Sequence, residues 1–221
     1  MLNKPDKPKE LRDLDWAGNP DAVFSTPIHR HQAIFDDNID LQKEANWLLG
    51  KVEQKGFSKH PGWEHDTHSL SDPSFSENVL YKYRCLKLID FIHREAGYYL
   101  RGLGHSEEAG FLGMKIVSSW LTKTMPGEYA RLHDHGTTDI AGVYYIKGNP
   151  NTDGNLYFQD HDKVKTHGQL LRCVPYQQDY PPGEASLILF PGWVLHGTRI
   201  HQGTEPRISL SFNIKIETTL G

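Results

Sequence analysis

The chain has 221 residues, of which 24% are charged and 37% hydrophobic, with a formal net charge of −4. This is the composition of one globular domain, and its charge balance gives no electrostatic case for nucleic acid or an anionic membrane as partner. It carries no apolar run of about 18 residues and no signal-peptide core; its two cysteines, Cys85 and Cys173, make no disulfide framework and fit a reducing, cytoplasmic setting.

Residues 1–22 are polar and Pro-rich and read as an N-terminal arm, followed by a single domain over 23–221. "VFSTPIHRHQAIF" (23–35) reads as a strand that Pro27 confines to a sheet edge. Asn38 or Asp40 can cap a helix over roughly 40–54, with Leu41, Ala45, Leu48 and Val52 on one face and Gly56 beyond its end. Residues 58–77 are punctuated by Pro, Gly, Ser and Asp and read as a loop. It holds His60, Trp63, His65 and His68, and it is a candidate lid or substrate loop. A second amphipathic helix fits about 77–101, with Leu86, Ile89, Ile92 and Ala96 inward and Gly102 and Gly104 closing it.

Beyond residue 110 the apolar period changes from about 3.6 to 2. "GMKIVSSWLTK", "AGVYYIK", "NLYFQ", "QLLRCV", "ASLILF", "WVLHGTRI" and "RISLSFNIKI" are strand candidates separated by turn residues. The helical part then covers about 38–104 and the β part about 111–217, an antiparallel sandwich or barrel with two N-terminal helices packed on one face.

Three features carry chemistry. On a strand, residues i and i+2 share a face, so His133 and His135 can aim two imidazoles at one point while Asp134 turns away. By itself the pair also fits a hairpin end in water. In "LILFPGWVLHG" an apolar strand stops at Pro191-Gly192, and His196 follows in apolar surroundings where its ring needs a partner: a metal or a backbone carbonyl. In "RISLSFNIKI" Ile208, Leu210, Phe212, Ile214 and Ile216 form one face, and Arg207, Ser209, Ser211 and Asn213 the other. A guanidinium with a hydroxyl at i+2 can clamp a carboxylate, although a polar strand face in water has the same pattern.

Taken in order, these features resemble the iron(II)/2-oxoglutarate-dependent oxygenase superfamily. Within it, "HDHGTTDIAGVYYI", "GNLYFQD", "LILFPGWVLHG" and "RISLSFN" are similar to a group of bacterial and phage proteins. The resemblance implies a mainly β chain built on a double-stranded β-helix, the jelly-roll or cupin-like barrel. It implies Fe(II) as cofactor, with His133 and His196 as ligands. It implies 2-oxoglutarate as co-substrate, with Arg207 and Ser209 on its far carboxylate and Tyr145 joining them; Tyr144 points outward by alternation. Dioxygen and a small-molecule or peptide substrate would be the other partners, and a homodimer is compatible with jelly-roll edge strands.

One position departs from the superfamily's pattern. The usual His-x-Asp or His-x-Glu supplies a 2-His-1-carboxylate site, but here the i+2 residue is His135. Three readings stay open: His135 replaces the carboxylate, Asp139 supplies it after a turn at Gly136-Thr137-Thr138, or water fills the place. Two alternatives compete with the oxygenase as a whole. A cupin that does not use 2-oxoglutarate could employ His133, His135, Asp139 and His196, but it has no need of the Arg207–Ser209 pair. A non-catalytic jelly roll with a structural metal would want four protein ligands, and Cys173 is a candidate for the fourth.

Overall fold

The computed structural model describes residues 26–32, 35–61, 67–105, 111–161 and 176–218. The N-terminal arm, Trp63, His65, the "QLLRCV" segment and Cys173 lie outside the described residues.

Period-2 alternation in the C-terminal half produces two antiparallel sheets. The larger runs β1 (His29–Gln32), β7 (Ser186–Pro191), β4 (Ile140–Lys147), β9 (Arg207–Thr218), β3 (Phe111–Thr124) and β2 (Ser69–Leu70), in that spatial order. The smaller runs β6 (Gln177–Tyr180), β5 (Leu156–Gln159) and β8 (His196–Thr198). β1 lies at the sheet edge as expected, beginning two residues after Pro27 rather than being interrupted by it. β2 arises inside the segment read as a loop, and β6 comes from "QQDY", whose polar residues hide a strand from a hydrophobicity pattern.

One face of the larger sheet is covered by helices. α1 (Phe35–Glu53) starts earlier than its expected caps, so Asp40 lies inside it. It buries Leu41, Ala45, Leu48 and Val52 as the periodicity requires. The second expected helix is two: α2 (Val79–Lys82) and α3 (Leu86–Gly102). The break falls at Arg84, whose φ of 55° is left-handed and cannot continue a right-handed helix. Leu86, the first residue of α3, is exposed and not inward, because the buried face of that helix centres on Leu88, Ile92 and Ala96, with Ile89 beside them. These side chains meet Tyr144, Leu187, Leu189, Leu210, Phe212 and Ile214 from the sheet. Each fully buried leucine contributes on the order of 2 kcal/mol relative to exposure.

The other face of the larger sheet packs on the smaller one through Ala141, Val143, Tyr145, Leu156, Phe158, Ile188, Phe190 and Val194. Tyr144 therefore points away from this inner face, but into the helix-covered core rather than to solvent. It is fully buried, and its hydroxyl donates to Gln42 Oε1 at 3.2 Å. No helix among the described residues is long and apolar enough to cross a membrane.

Candidate functional site

The space between the sheets opens into a cavity of about 240 Å³. His196 begins β8, and His133 opposes it. Their backbones exchange two N–H···O=C bonds, each 2.9 Å long. Directly opposed residues of an antiparallel pair project to one face, and the two rings lie 4.3 Å apart between centroids. His135 belongs to no strand. Its N–H donates to the Gly192 carbonyl at 2.8 Å, and its ring stands 5.6 and 5.0 Å from those of His133 and His196. Glycine is required at 192 because a Cβ there would sit 2.2 Å from the Thr138 carbonyl oxygen. One ring nitrogen from each histidine lies within 4.8 Å of the others, so the three could hold a metal ion.

Hydrogen bonding sets the tautomers. A carbonyl oxygen only accepts, and His133 Nδ1 lies 2.7 Å from the Arg131 carbonyl and His196 Nδ1 2.8 Å from that of Val194. Both rings carry their proton on Nδ1, which leaves Nε2 as the nitrogen with a lone pair. His135 Nδ1 approaches Asn213 Oδ1 at 2.5 Å, and Asn213 Nδ2 donates to Ser118 Oγ at 3.0 Å. That second bond orients the amide so that its oxygen meets the imidazole. Burial pushes His135 down to about 4 and His196 well below the usual histidine value, and the neighbouring His133 ring adds to both shifts. At neutral pH both are uncharged bases, the form a metal requires.

The sheet register lays the cavity wall out in rows. Ser118, Asn213 and Ala141 form one row; Trp120, Ser211 and Val143 the next; Thr122, Ser209 and Tyr145 the third; Thr124 and Arg207 the last. Arg207, Ser209, Ser211 and Asn213 all line the cavity, so this polar face of β9 looks into it and not into water. Arg207 is 3% exposed. Its Nη2 donates to Thr124 Oγ1 at 3.1 Å and its Nη1 to the Gly154 carbonyl, while Nε is buried with no hydrogen-bond partner. No carboxylate among the described residues pairs with it. Burial lowers its pKa, partly opposed by Tyr145 and the charge of Asp153. A buried cation without a paired anion costs several kcal/mol, and a ligand carboxylate is the group that would remove that cost.

Of the residues singled out by sequence, His133, His135, His196, Tyr145, Arg207 and Ser209 all line this cavity. Asp139 is placed elsewhere: its Oδ2 accepts the Ile216 N–H at 2.8 Å, and Lys215 Nζ stands 3.5 Å from Oδ1. The loop of 58–77 reaches the cavity through His68 and Phe75. Sequence reasoning passed over Trp120, whose ring stacks on His135 at 6.0 Å, and the role of Asn213, whose only signal was a polar residue in phase with Arg207.

A comparison with family models matches residues 118–213 to a family described as "Putative 2OG-Fe(II) oxygenase". A search of curated proteins finds no match by sequence. Among solved structures, a Pseudomonas putida prolyl-4-hydroxylase is similar with a TM-score of 0.56 at 14% identity, over 87% of this chain and 94% of that one. SnoK, a non-heme alpha ketoglutarate dependent carbocyclase from nogalamycin biosynthesis, gives 0.61 at 11% identity, over 87% and 80%. HygX from Streptomyces hygroscopicus, solved with nickel and 2-oxoglutarate bound, gives 0.53 at 12% identity, over 88% and 84%. At such identities the likeness is one of fold, the jelly roll. The family match runs from Ser118 to Asn213 and encloses the three histidines and Arg207. Over residues 118–213 the chain is thus similar to the 2OG-Fe(II) oxygenase family, and its fold is the jelly roll of these neighbours.

Proposed function

We propose that this protein is an iron(II)- and 2-oxoglutarate-dependent oxygenase, a hydroxylase in the simplest case, that takes dioxygen and a small-molecule or peptide substrate. His133, His135 and His196 hold the metal through Nε2; Arg207, Ser209 and Tyr145 receive the distal carboxylate of 2-oxoglutarate. The observation that carries the reading is the buried Arg207, its Nε lacking any partner, in the same cavity as three converging imidazoles. A metal-only site leaves that cation unexplained, whereas a ligand with a metal-binding end and a carboxylate end accounts for both.

When bound, iron and the oxo acid supply the oxidising chemistry, with release of succinate and carbon dioxide. The chain's own part is to orient and to exclude water. The pinned Nδ1 atoms keep the three Nε2 atoms directed inward. Phe75, Trp120, Phe190 and Val143 line the remaining wall with apolar surface. We take residues 23–221 as one unit on this reading. A cytoplasmic setting goes with it, since Cys85 is a free thiol in the core, pushed up to about 12 by burial.

The test is anaerobic titration of the iron(II)-loaded protein with 2-oxoglutarate. A visible metal-to-ligand charge-transfer band is expected, weakened in Arg207→Lys and lost in Arg207→Met. Intact iron binding without a band overturns the reading in favour of a cupin-type enzyme that does not use the oxo acid.

A further inference from the structure

The three histidines are not held alike. His133 and His196 oppose each other in a β-bridge, and each ring is pinned by a carbonyl two residues away in its own chain segment. Nearby backbone carbonyls therefore set the tautomer of both. His135 lies outside every strand, and its Nδ1 partner is a side chain 78 residues distant, on β9. The torsion that orients an imidazole about its Cβ–Cγ bond is broad and roughly two-fold, so nothing intrinsic to His135 selects which nitrogen faces the cavity.

We propose that Asn213, anchored by Ser118, is the positioning residue that makes His135 the third metal ligand of this site. This rests on reading the histidines as a metal centre. Asn213 and Ser118 are register partners on β9 and β3, so their side chains meet across the strands, and the Nδ2–Oγ bond fixes the amide's rotation. The amide oxygen can then only accept, which puts the imidazole proton on Nδ1 and presents Nε2 to the cavity. Trp120, from the adjoining row, stacks on the ring with planes 27° apart and restrains its tilt. Partners of this kind typically change metal affinity by about 10–100-fold.

The experiment titrates the metal-free protein with cobalt(II) alone, read by calorimetry and by the visible ligand-field spectrum, which reports ligand number. His135→Ala and Asn213→Ala are each expected to weaken cobalt by about 10–100-fold and to give the same altered spectrum. The double variant should be no weaker than His135→Ala alone. Asn213→Asp, which still accepts from Nδ1–H, should restore most of the affinity. Should Asn213→Ala not fold by near-ultraviolet circular dichroism, Ser118→Ala decides: an altered spectrum supports the proposal and a wild-type spectrum overturns it. Wild-type affinity in a folded Asn213→Ala, with loss in His135→Ala, overturns the role of Asn213 and leaves the metal centre standing. No change in His135→Ala, with loss in His133→Ala and His196→Ala, overturns the three-histidine arrangement too. Unchanged cobalt binding in all of these variants removes the metal-centre reading itself.

Discussion

His133 and His196 are joined by two reciprocal backbone hydrogen bonds of 2.9 Å, so the smaller sheet is extended at the same two residues whose rings converge in the cavity. Side-chain removal at either position leaves that backbone pairing in place. His196→Ala and His133→Ala are therefore expected to stay folded yet fail to gain thermal stability from added metal. The wild type should gain about 2.7 kcal/mol at a metal concentration 100 times Kd. Scanning calorimetry with and without cobalt(II) checks this.

Acid should destabilise the metal-free protein. His135 titrates near 4 in the fold and near 6.5 in the unfolded chain, so the unfolded state takes up the proton first as pH falls. The stabilisation is fully present above about 6.5 and is lost as pH drops toward 4, about 3 kcal/mol for this residue. His196 shifts the same way and adds to the loss. Urea denaturation of the metal-free protein across pH 7.5 to 4 measures the slope, which should flatten in His135→Gln.

Arg207→Met separates stability from binding. It removes two hydrogen bonds, worth about 1 kcal/mol each, together with a buried cation that has no carboxylate partner. The two effects oppose, so Tm should move by no more than about 4 °C in either direction. Charge-transfer titration should show no 2-oxoglutarate binding. A large fall in Tm would instead mark Arg207 as a structural residue.

The adjacent tyrosines should behave differently. Tyr145→Phe is expected to raise the apparent Kd for 2-oxoglutarate by about 10–100-fold, the loss of one hydrogen bond to a charged group. Tyr144→Phe removes only the bond to Gln42, so it should cost about 1 kcal/mol of stability and leave that Kd unchanged. Equal effects on Kd would contradict the face assignment.

Gly192→Ala should be among the most damaging single methyl additions in the chain. The new Cβ would fall 2.2 Å from the Thr138 carbonyl oxygen, backbone that cannot swing away. The displaced carbonyl of residue 192 is the acceptor for the His135 N–H, so metal affinity should fall with stability, by at least 10-fold. Cobalt titration alongside thermal melting tests the coupling.

The alternation of "RISLSFN" made the two faces of β9 readable, because a period of 2 with one apolar face has few other solutions. What it could not show was that a second sheet covers the polar face, turning Arg207 from a solvated residue into a buried one. The same limit applied to Tyr144, since alternation gives direction but not what lies in that direction. The split of one expected helix into α2 and α3 was hidden because it rests on a single left-handed residue, Arg84, and arginine carries no glycine-like warning; Leu86 fits the apolar period but lies at the exposed start of α3. Asn213 escaped notice because its partner, His135, is 78 residues away, and only the pairing of β9 between β3 and β4 brings them together.

The two ends of the cavity belong to different sheets. The His133–His196 bridge extends the smaller sheet, while Arg207 and Ser209 are rooted in the larger. On the proposed function, a co-substrate held at both ends would be measured against the inter-sheet gap, across which Leu156, Phe158, Val143 and Ile188 pack as spacers. The barrel would then act as a ruler for diacid length, its graduation written in the packing between the sheets.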